Sequence, residues 1–262
     1  MNEASCEKMA IRLVDFVSKI AGESSVSSVI FFGSVLDGGM SPLSDVDVLI
    51  VLKSGDKGIV KKVAAALRGI EKAEPPSPFI EKVLDAVNMK TGMFKSFFVC
   101  REEDLRKGDF SSIFSLSRVM SALLAPSKLV LSSAFNGAKV VYGEAELPPP
   151  RTPSPLQLVK SLAMNLLLST AALLIAPFTL GATKYSMEAV KWSTMASYYY
   201  VFRKRLPVNK IPLSLKGWMC KHATRFAHLR HNYRKDPYML ALTPLFTLAG
   251  HLLALRRGIL KA

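Results

Sequence analysis

The chain has 262 residues, half of them hydrophobic, and carries 35 Lys/Arg against 20 Asp/Glu for a formal net charge of +15. This apolar content excludes an intrinsically disordered chain, because it is large enough to build a packed core. Cys6, Cys100 and Cys220 are scattered and odd in number, which argues against a disulfide framework, and no Cys/His metal spacing is present. Reduced thiols of this kind predict a cytoplasmic protein.

The positive charge is confined to the C-terminal part. Residues 1–150 contain 18 Lys/Arg and 18 Asp/Glu, whereas residues 151–262 contain 17 Lys/Arg and two acids, Glu188 and Asp236. A strong asymmetry between two parts of one chain predicts an anionic partner for the basic part.

The first 150 residues alternate predicted helices and strands. Apolar residues at helical spacing predict an amphipathic N-terminal helix over Met1–Ala21, and uninterrupted apolar runs predict strands. The predicted strands are Val26–Phe32, Asp45–Leu52, Phe94–Cys100 and Lys139–Tyr142, and the further predicted helices are Lys57–Ala73, Pro78–Val87, Ser115–Leu124 and Ser127–Phe135. Such a mixture predicts an α+β fold with helices on a small mixed sheet. Since Val48–Leu52 is apolar at every position, we expect it to be buried on both faces.

A proline-rich segment, Glu144–Pro155, predicts the domain boundary. Prolines at this density disfavour helix and favour an extended connector. The predicted domains are therefore residues 1–147 and residues 156–262. Four long helical runs follow the boundary, at Leu156–Ile175, Lys184–Lys204, Leu213–Asn232 and Tyr238–Arg257, and predict a helical bundle.

One stretch of this bundle is apolar enough to raise the question of a membrane. No charge occurs between Lys160 and Lys184, a length that can span a bilayer. Asn165, Ser169 and Pro177 within it favour a core helix instead, so no membrane span is expected. The oligomeric state is not predicted.

The residues with the clearest chemistry lie between the first two strands, in Phe31–Leu52. Gly33 and Ser34 end one apolar run, a loop rich in Gly, Ser and Pro follows, and Asp45 and Asp47 open the next run. Residues i and i+2 of a strand point to the same side, so the two carboxylates should stand together. Adjacent carboxylates repel unless a cation lies between them, and hard oxygen ligands suit Mg²⁺.

This block resembles the signature of the DNA-polymerase-beta-like nucleotidyltransferase superfamily, and its spelling is similar to that of aminoglycoside adenylyltransferases. The resemblance covers roughly residues 25–55. It implies a nucleotidyltransferase-type mixed sheet, phosphate contacts from Gly33 and Ser34, and catalytic Asp45 and Asp47 that hold two Mg²⁺ ions. It also implies an NTP as substrate, with ATP as the expected one, and agrees with a helical bundle as the second domain.

The chain departs from the family pattern at a third carboxylate, which the family normally supplies from a neighbouring strand as a metal ligand and base. The natural location, Phe94–Cys100, contains none. Asp85, Glu81 and the cluster Glu102-Glu103-Asp104 are nearby candidates, and none of them is assigned.

Cations of the basic part supply further candidates. Lys184, Glu188 and Lys191 share a helix face. This face is either a solvated surface or a nucleotide-binding surface, in which case Lys191 would reach the triphosphate. Residues 216–235 are rich in Lys, Arg and His, and we interpret their histidines as part of a basic, anion-binding face.

The sequence thus predicts a Mg²⁺-dependent enzyme that transfers NMP from an NTP to an acceptor hydroxyl by two-metal catalysis. Aminoglycosides are polycations, and the basic second domain instead predicts an anionic acceptor, RNA or a phosphorylated metabolite. The alternative is a non-catalytic protein of the same fold that binds nucleotide or RNA.

Overall fold

A computed structural model describes residues 3–36, 41, 46–53, 55–71, 96–123, 125–179 and 181–261 of the chain. Asp45 and the predicted helix Pro78–Val87 lie outside the described residues. Two compact units form, one from the described residues of 1–38, 45–121 and 137–149, and the other chiefly from those of 122–136 and 150–262.

The first unit is built on a four-stranded mixed sheet. Its strands are β1 (Val26–Phe32), β2 (Asp47–Leu52), β3 (Phe97–Arg101) and β4 (Lys139–Gly143), in the order β3-β2-β1-β4. β1 is antiparallel to both of its neighbours, whereas β2 and β3 run parallel. β2 pairs with β1 on one side and with β3 on the other, so it is a central strand. Val48–Leu52 are fully buried, as their composition predicts.

Eight helices of four residues or more accompany the strands along the described parts of residues 1–202, and two more complete the chain. Their bounds are α1 Glu3–Ala21, α2 Lys57–Glu71, α3 Glu102–Lys107, α4 Phe110–Ile113, α5 Arg118–Leu123, α6 Ser127–Phe135, α7 Pro155–Ile175, α8 Ala182–Phe202, α9 Gly217–His231 and α10 Pro237–Lys261. The predicted α+β fold class with a C-terminal helical region is confirmed. The short helices α3 and α4 were not predicted, because neither is long enough to show a helical period.

An aromatic cluster lies under the end of β1. The ring of Phe98 is 5.9 Å from that of Phe32 and 5.0 Å from that of Phe114, and Phe110 is 4.9 Å from Phe114. All three contacts are tilted or edge-on, as aromatic quadrupoles prefer. This packing fixes the point at which the chain leaves β1.

The second unit is helical and its core contains hydroxyl groups and histidines as well as apolar side chains. α7, α8 and α10 pack against one another. Apolar packing comes from residues such as Val190, Phe226 and Phe246, each at most 2% exposed. Residues 122–136, with α6, join this unit, so the compact units are not divided at the proline-rich segment alone. The predicted domains 1–147 and 156–262 stay a prediction.

Two helices among the described residues have the length and apolarity to cross a membrane, Pro155–Ile175 and Pro237–Arg256, with mean hydropathies of 1.8 and 1.6. Buried core helices of soluble proteins pass the same test, and here 28% and 39% of the two windows are buried. α7 therefore has a core face that includes Leu158 and Ala172, together with an outer face that exposes Leu167 and Leu174.

Candidate active site

The turn that follows β1 brings two of the predicted site residues together. Phe32 pairs with Asp47 across the antiparallel β1–β2 ladder. Gly33 comes next, with φ +77°, and opens a short 3-10 turn through Val35. A Cβ atom at Gly33 would collide with Oδ2 of Asp47 and lie 3.0 Å from its Cγ. Only glycine tolerates both this φ and this approach, so the Asp47 carboxylate lies against the Gly33 backbone.

Ser34 is in the same turn and is half-buried, as are Gly33 and Asp47. A backbone turn and a hydroxyl beside a carboxylate at the edge of a sheet are the groups needed for phosphate oxygens and a cation. The described part of the site therefore contains three of the predicted residues in one place. The fourth, Asp45, lies outside the described residues.

The donor set is suited to Mg²⁺, because carboxylate oxygens are the usual protein ligands of this ion and substrate phosphates complete its shell. The space that a Cβ at residue 33 would fill is taken by the Asp47 carboxylate. Within the described ranges, no group of three or more His, Cys, Asp or Glu residues forms a metal site by itself. Asp47 would thus hold the ion together with ligands beyond those residues.

The strand register decides where a third carboxylate cannot be. Val48 pairs with Phe97 and Leu52 with Arg101 in the parallel ladder, so Glu102 follows the far end of β3. Five steps separate Asp47 from Leu52, the partner of Arg101, and Glu102 is one step further, so at about 3.3 Å per residue it lies roughly 20 Å along the strand from the site. Glu102 also accepts hydrogen bonds from Ser27 and Arg106.

The other two acids of that cluster are engaged as well. Arg101 forms ion pairs with Glu103 (2.5 Å) and Asp104 (2.9 Å). The cluster is therefore a helix N-terminus with paired charges, which is stabilising in that position. Its candidacy as the third metal ligand is wrong for geometric reasons, whereas Glu81 and Asp85 lie outside the described residues.

Lys191 is held by its own helix in the second unit. Its Nζ lies 2.5 Å from Oε2 of Glu188, and the same oxygen accepts a hydrogen bond from the Trp192 indole at 3.0 Å. The ammonium also lies 5.1 Å from the centre of the Trp192 ring. These contacts orient Lys191, and its nucleotide-binding role stays a prediction.

The prediction that all histidines of residues 216–235 belong to a basic face is wrong for His222. His222 is 4% exposed, and its Nε2 lies 3.1 Å from the Thr243 hydroxyl. Burial, with a smaller contribution from Arg225, lowers its pKa to about 4. His222 is thus a neutral core residue, while His228 and His231 are exposed. Sequence spacing could not separate them, because α9 carries polar residues on most of its surface.

The described geometry brings a glycine turn and a strand carboxylate together at one end of a mixed sheet. Residues 11–89 match the family model described as nucleotidyltransferase domain, a range that includes Gly33, Ser34, Asp45 and Asp47. The match supports the resemblance of residues 25–55 to the DNA-polymerase-beta-like nucleotidyltransferase superfamily and concerns less than a third of the chain.

A solved structure is similar along nearly the whole length. The crystal structure of spectinomycin adenyltransferase AAD(9) from Enterococcus faecialis with ATP and spectinomycin aligns with a TM-score of 0.55, covers 95% of this chain and 99% of that chain, and is 10% identical. At this identity the likeness concerns the fold, including its helical part. No curated protein matches the chain significantly.

Proposed function

We propose that the chain acts in the cytoplasm as a Mg²⁺-dependent nucleotidyltransferase. It transfers a nucleoside monophosphate from an NTP, with ATP as the expected donor, to a hydroxyl of an anionic acceptor. The observation that carries the proposal is the contact between the Gly33 backbone and the Asp47 carboxylate. It supports the proposal because the turn proposed to bind phosphate lies next to the carboxylate proposed to bind metal, and the family-model match covers both.

In the proposed reaction the acceptor oxygen forms a bond to the α-phosphorus, the bond to the β-phosphate oxygen breaks, and pyrophosphate leaves with its charge. Gly33 and Ser34 hold the leaving phosphates, and Asp45 and Asp47 hold the ions. Bound Mg²⁺ supplies neutralisation of the charge that develops on the phosphates. Catalysis of this kind is mostly positioning and electrostatic stabilisation.

The proposed class of acceptor follows from the scarcity of acidic residues in 151–262, where Glu188 and Asp236 are the two present. Glu188 is paired with Lys191 and Trp192, and Asp236 is paired with Arg225 at 2.6 Å. Neither carboxylate is left to bind the ammonium groups of a polycationic acceptor. A molecule with phosphate groups, RNA or a phosphorylated metabolite, fits this surplus of cations.

The base that takes the acceptor proton is proposed to be Glu81 or Asp85. In the described part of β3 and its preceding residue Ser96, no side chain is a carboxylate. The register excludes the Glu102 cluster, which leaves these two among the candidates that the sequence offers.

The test is incubation with each α-³²P-labelled NTP and Mg²⁺, with total cellular RNA and a phosphorylated-metabolite fraction as separate acceptor pools. We expect label in one pool, and its loss in the Asp45→Asn/Asp47→Asn variant. Asp15→Asn is the matched control, because Asp15 is an exposed carboxylate of α1. Glu81→Gln and Asp85→Asn should identify the base by a large fall in kcat at unchanged nucleotide affinity.

A second candidate function is a non-catalytic nucleotide sensor, which the absence of a carboxylate from the described part of β3 favours. Mg²⁺-dependent NTP binding that Asp47→Asn abolishes, with no label in any acceptor pool, would establish the sensor in place of the enzyme.

A further inference from the structure

A cavity of about 370 Å³ lies inside the helical unit, between α8, α10 and the start of α9. Cavities of this size accommodate small-molecule ligands. The lining residues that determine its character come from three helices. They are Ser197 and Phe202 of α8, the α9 N-cap Lys216, Met219 of α9, and Phe246 and Gly250 of α10.

Gly250 keeps the cavity open. It is in the middle of α10, where glycine is less favourable than alanine. A Cβ atom at this position would meet Met219 Cε at 3.5 Å and Ser197 Oγ at 4.0 Å, both of them from the cavity wall. A larger side chain would therefore extend into the cavity.

Ser197 offers an unused hydroxyl at this wall. Its Oγ is buried and has no hydrogen-bond partner among the described residues. Its neighbours on the same helix are satisfied, since Ser193 Oγ donates to Thr247 Oγ1 at 3.2 Å and Thr194 Oγ1 donates to the Val190 carbonyl at 2.8 Å. A buried hydroxyl without a hydrogen-bond partner raises the free energy of the folded state. A polar atom of a ligand in the cavity would supply that partner.

A cation and exposed apolar groups form the rim. Lys216 lines the cavity, is exposed, and has no ion-pair partner in the described part of the chain. Phe202 and Leu253, also lining residues, are 41% and 52% exposed. A mainly apolar wall with the unpaired Ser197 hydroxyl, and a lysine at the opening, suits a molecule with an apolar body and a negative head group.

We propose that this cavity binds a small amphiphilic anion, with its apolar body against Phe246 and Met219, a polar atom at Ser197 and its charge near Lys216. The inference goes beyond the proposed function, because every residue that carries it belongs to the helical unit and none belongs to the Gly33–Asp47 site.

The test uses 1-anilinonaphthalene-8-sulfonate, an apolar ring system with one sulfonate, as the fluorescent probe and decanoate as the competitor, on the full chain. We expect saturable binding that decanoate displaces. Gly250→Leu fills the cavity and should weaken binding at least tenfold. Lys216→Gln should weaken it about three- to fivefold, whereas Lys221→Gln, another exposed lysine of α9 outside the cavity, should change it less than twofold.

Binding should persist in the Asp45→Asn/Asp47→Asn variant, which separates this proposal from the nucleotidyltransferase one. Equal affinity of the wild type and a folded Gly250→Leu variant would overturn it. If Gly250→Leu does not fold, Lys216→Gln decides: it is exposed and does not disturb the core, and an effect no larger than that of Lys221→Gln overturns the proposal.

Discussion

The two units are stabilised by different means. The first has a sheet whose central strand is wholly apolar, and its buried polar side chains among the described residues are Ser28 and Asp104. The helical unit buries many hydroxyls, two amides and two histidines, including Ser161, Asn165, Thr243, His222 and His251. In the first unit, backbone pairing places the functional groups at the end of the central strands, next to an apolar core. In the second, side-chain hydrogen bonds within the core hold the helices, so its stability depends on protonation.

The largest effect should come from the closest backbone approach in the first unit. Gly33→Ala should lower nucleotidyl transfer about 100-fold, because a Cβ atom at residue 33 displaces the Asp47 carboxylate, and small misplacements of catalytic groups have such costs. Steady-state kinetics with labelled NTP would measure it.

Gly22→Ala is the matched control. Gly22 also has positive φ, +97°, but a Cβ there would meet nothing within 4 Å. Both variants should lose similar stability from the backbone strain, and activity should fall only in Gly33→Ala. Equal activity losses would show that strain, and not the contact with Asp47, is responsible.

The next largest effect concerns the start of α10. Asp236 is 2% exposed, accepts a hydrogen bond from the Met239 N–H at 2.9 Å and pairs with Arg225. Burial acts to raise its pKa, but these two partners outweigh it and hold the pKa below the usual range. Asp236→Ala should lower the free energy of unfolding by about 3 kcal/mol, measured by urea denaturation, since it removes both a helix cap and a charged hydrogen bond.

Asp109→Ala makes the corresponding change in the first unit. Asp109 caps α4 by accepting hydrogen bonds from the N–H groups of Ser111 and Ser112, and it has no cationic partner in the described part of the chain. Its removal should cost about 1 kcal/mol. A cost equal to that of Asp236→Ala would contradict the contribution assigned to Arg225.

Protonation should destabilise the helical unit selectively. Burial lowers the pKa of both His222 and His251 to about 4, against 6.5 for the free side chain. Both histidines are therefore neutral in the folded state and protonate first in the unfolded state. The contribution of the two histidines to the free energy of unfolding is fully present above pH 6.5. It falls between pH 6.5 and 4, by up to about 1.4 kcal/mol per pH unit for each histidine.

Urea unfolding at pH 7.5, 6.5, 5.5 and 5.0 would check this slope. His251→Gln should reduce it by about half, and His231→Gln, which changes an exposed histidine of α9, should leave it unchanged. An equal slope in the His251→Gln variant would contradict the assigned burial effect. Carboxylates with lowered pKa values, such as Asp236, lose their stabilising contribution only at lower pH. They therefore do not add to the slope in this pH range.

The smallest effect expected is that of Lys191→Gln. If Lys191 binds the triphosphate, KM for the NTP should rise about tenfold at constant kcat, the loss of one charged hydrogen bond. Since Lys191 also pairs with Glu188, the control is Glu188→Gln, which breaks the same ion pair. An equal KM increase in Glu188→Gln would indicate that the pair only supports the helix.

Much of the fold was predictable from local pattern. β1 has the predicted bounds, Val26–Phe32, and α7 and α8 differ from the predicted helices by one or two residues at most ends, because long periodic or uninterrupted apolar runs have few alternatives. α9 begins at Gly217, four residues later than predicted, since 3-10 turns occupy Val208–Lys210 and Pro212–Ser214. Short turns of this kind leave no periodic signal.

The sequence by itself indicated the resemblance to nucleotidyltransferases through Gly33, Ser34, Asp45 and Asp47, and the family model matches the range that contains all four. Tertiary structure decided what depends on register and burial. Only the pairing of β2 with β3 shows that the Glu102 cluster is at the wrong end of the strand, since residues adjacent along the chain can be distant from a site that is built across strands. Only helix packing distinguishes the neutral His222 from the exposed His228, because the solvation of a side chain is set by neighbours that are remote in sequence.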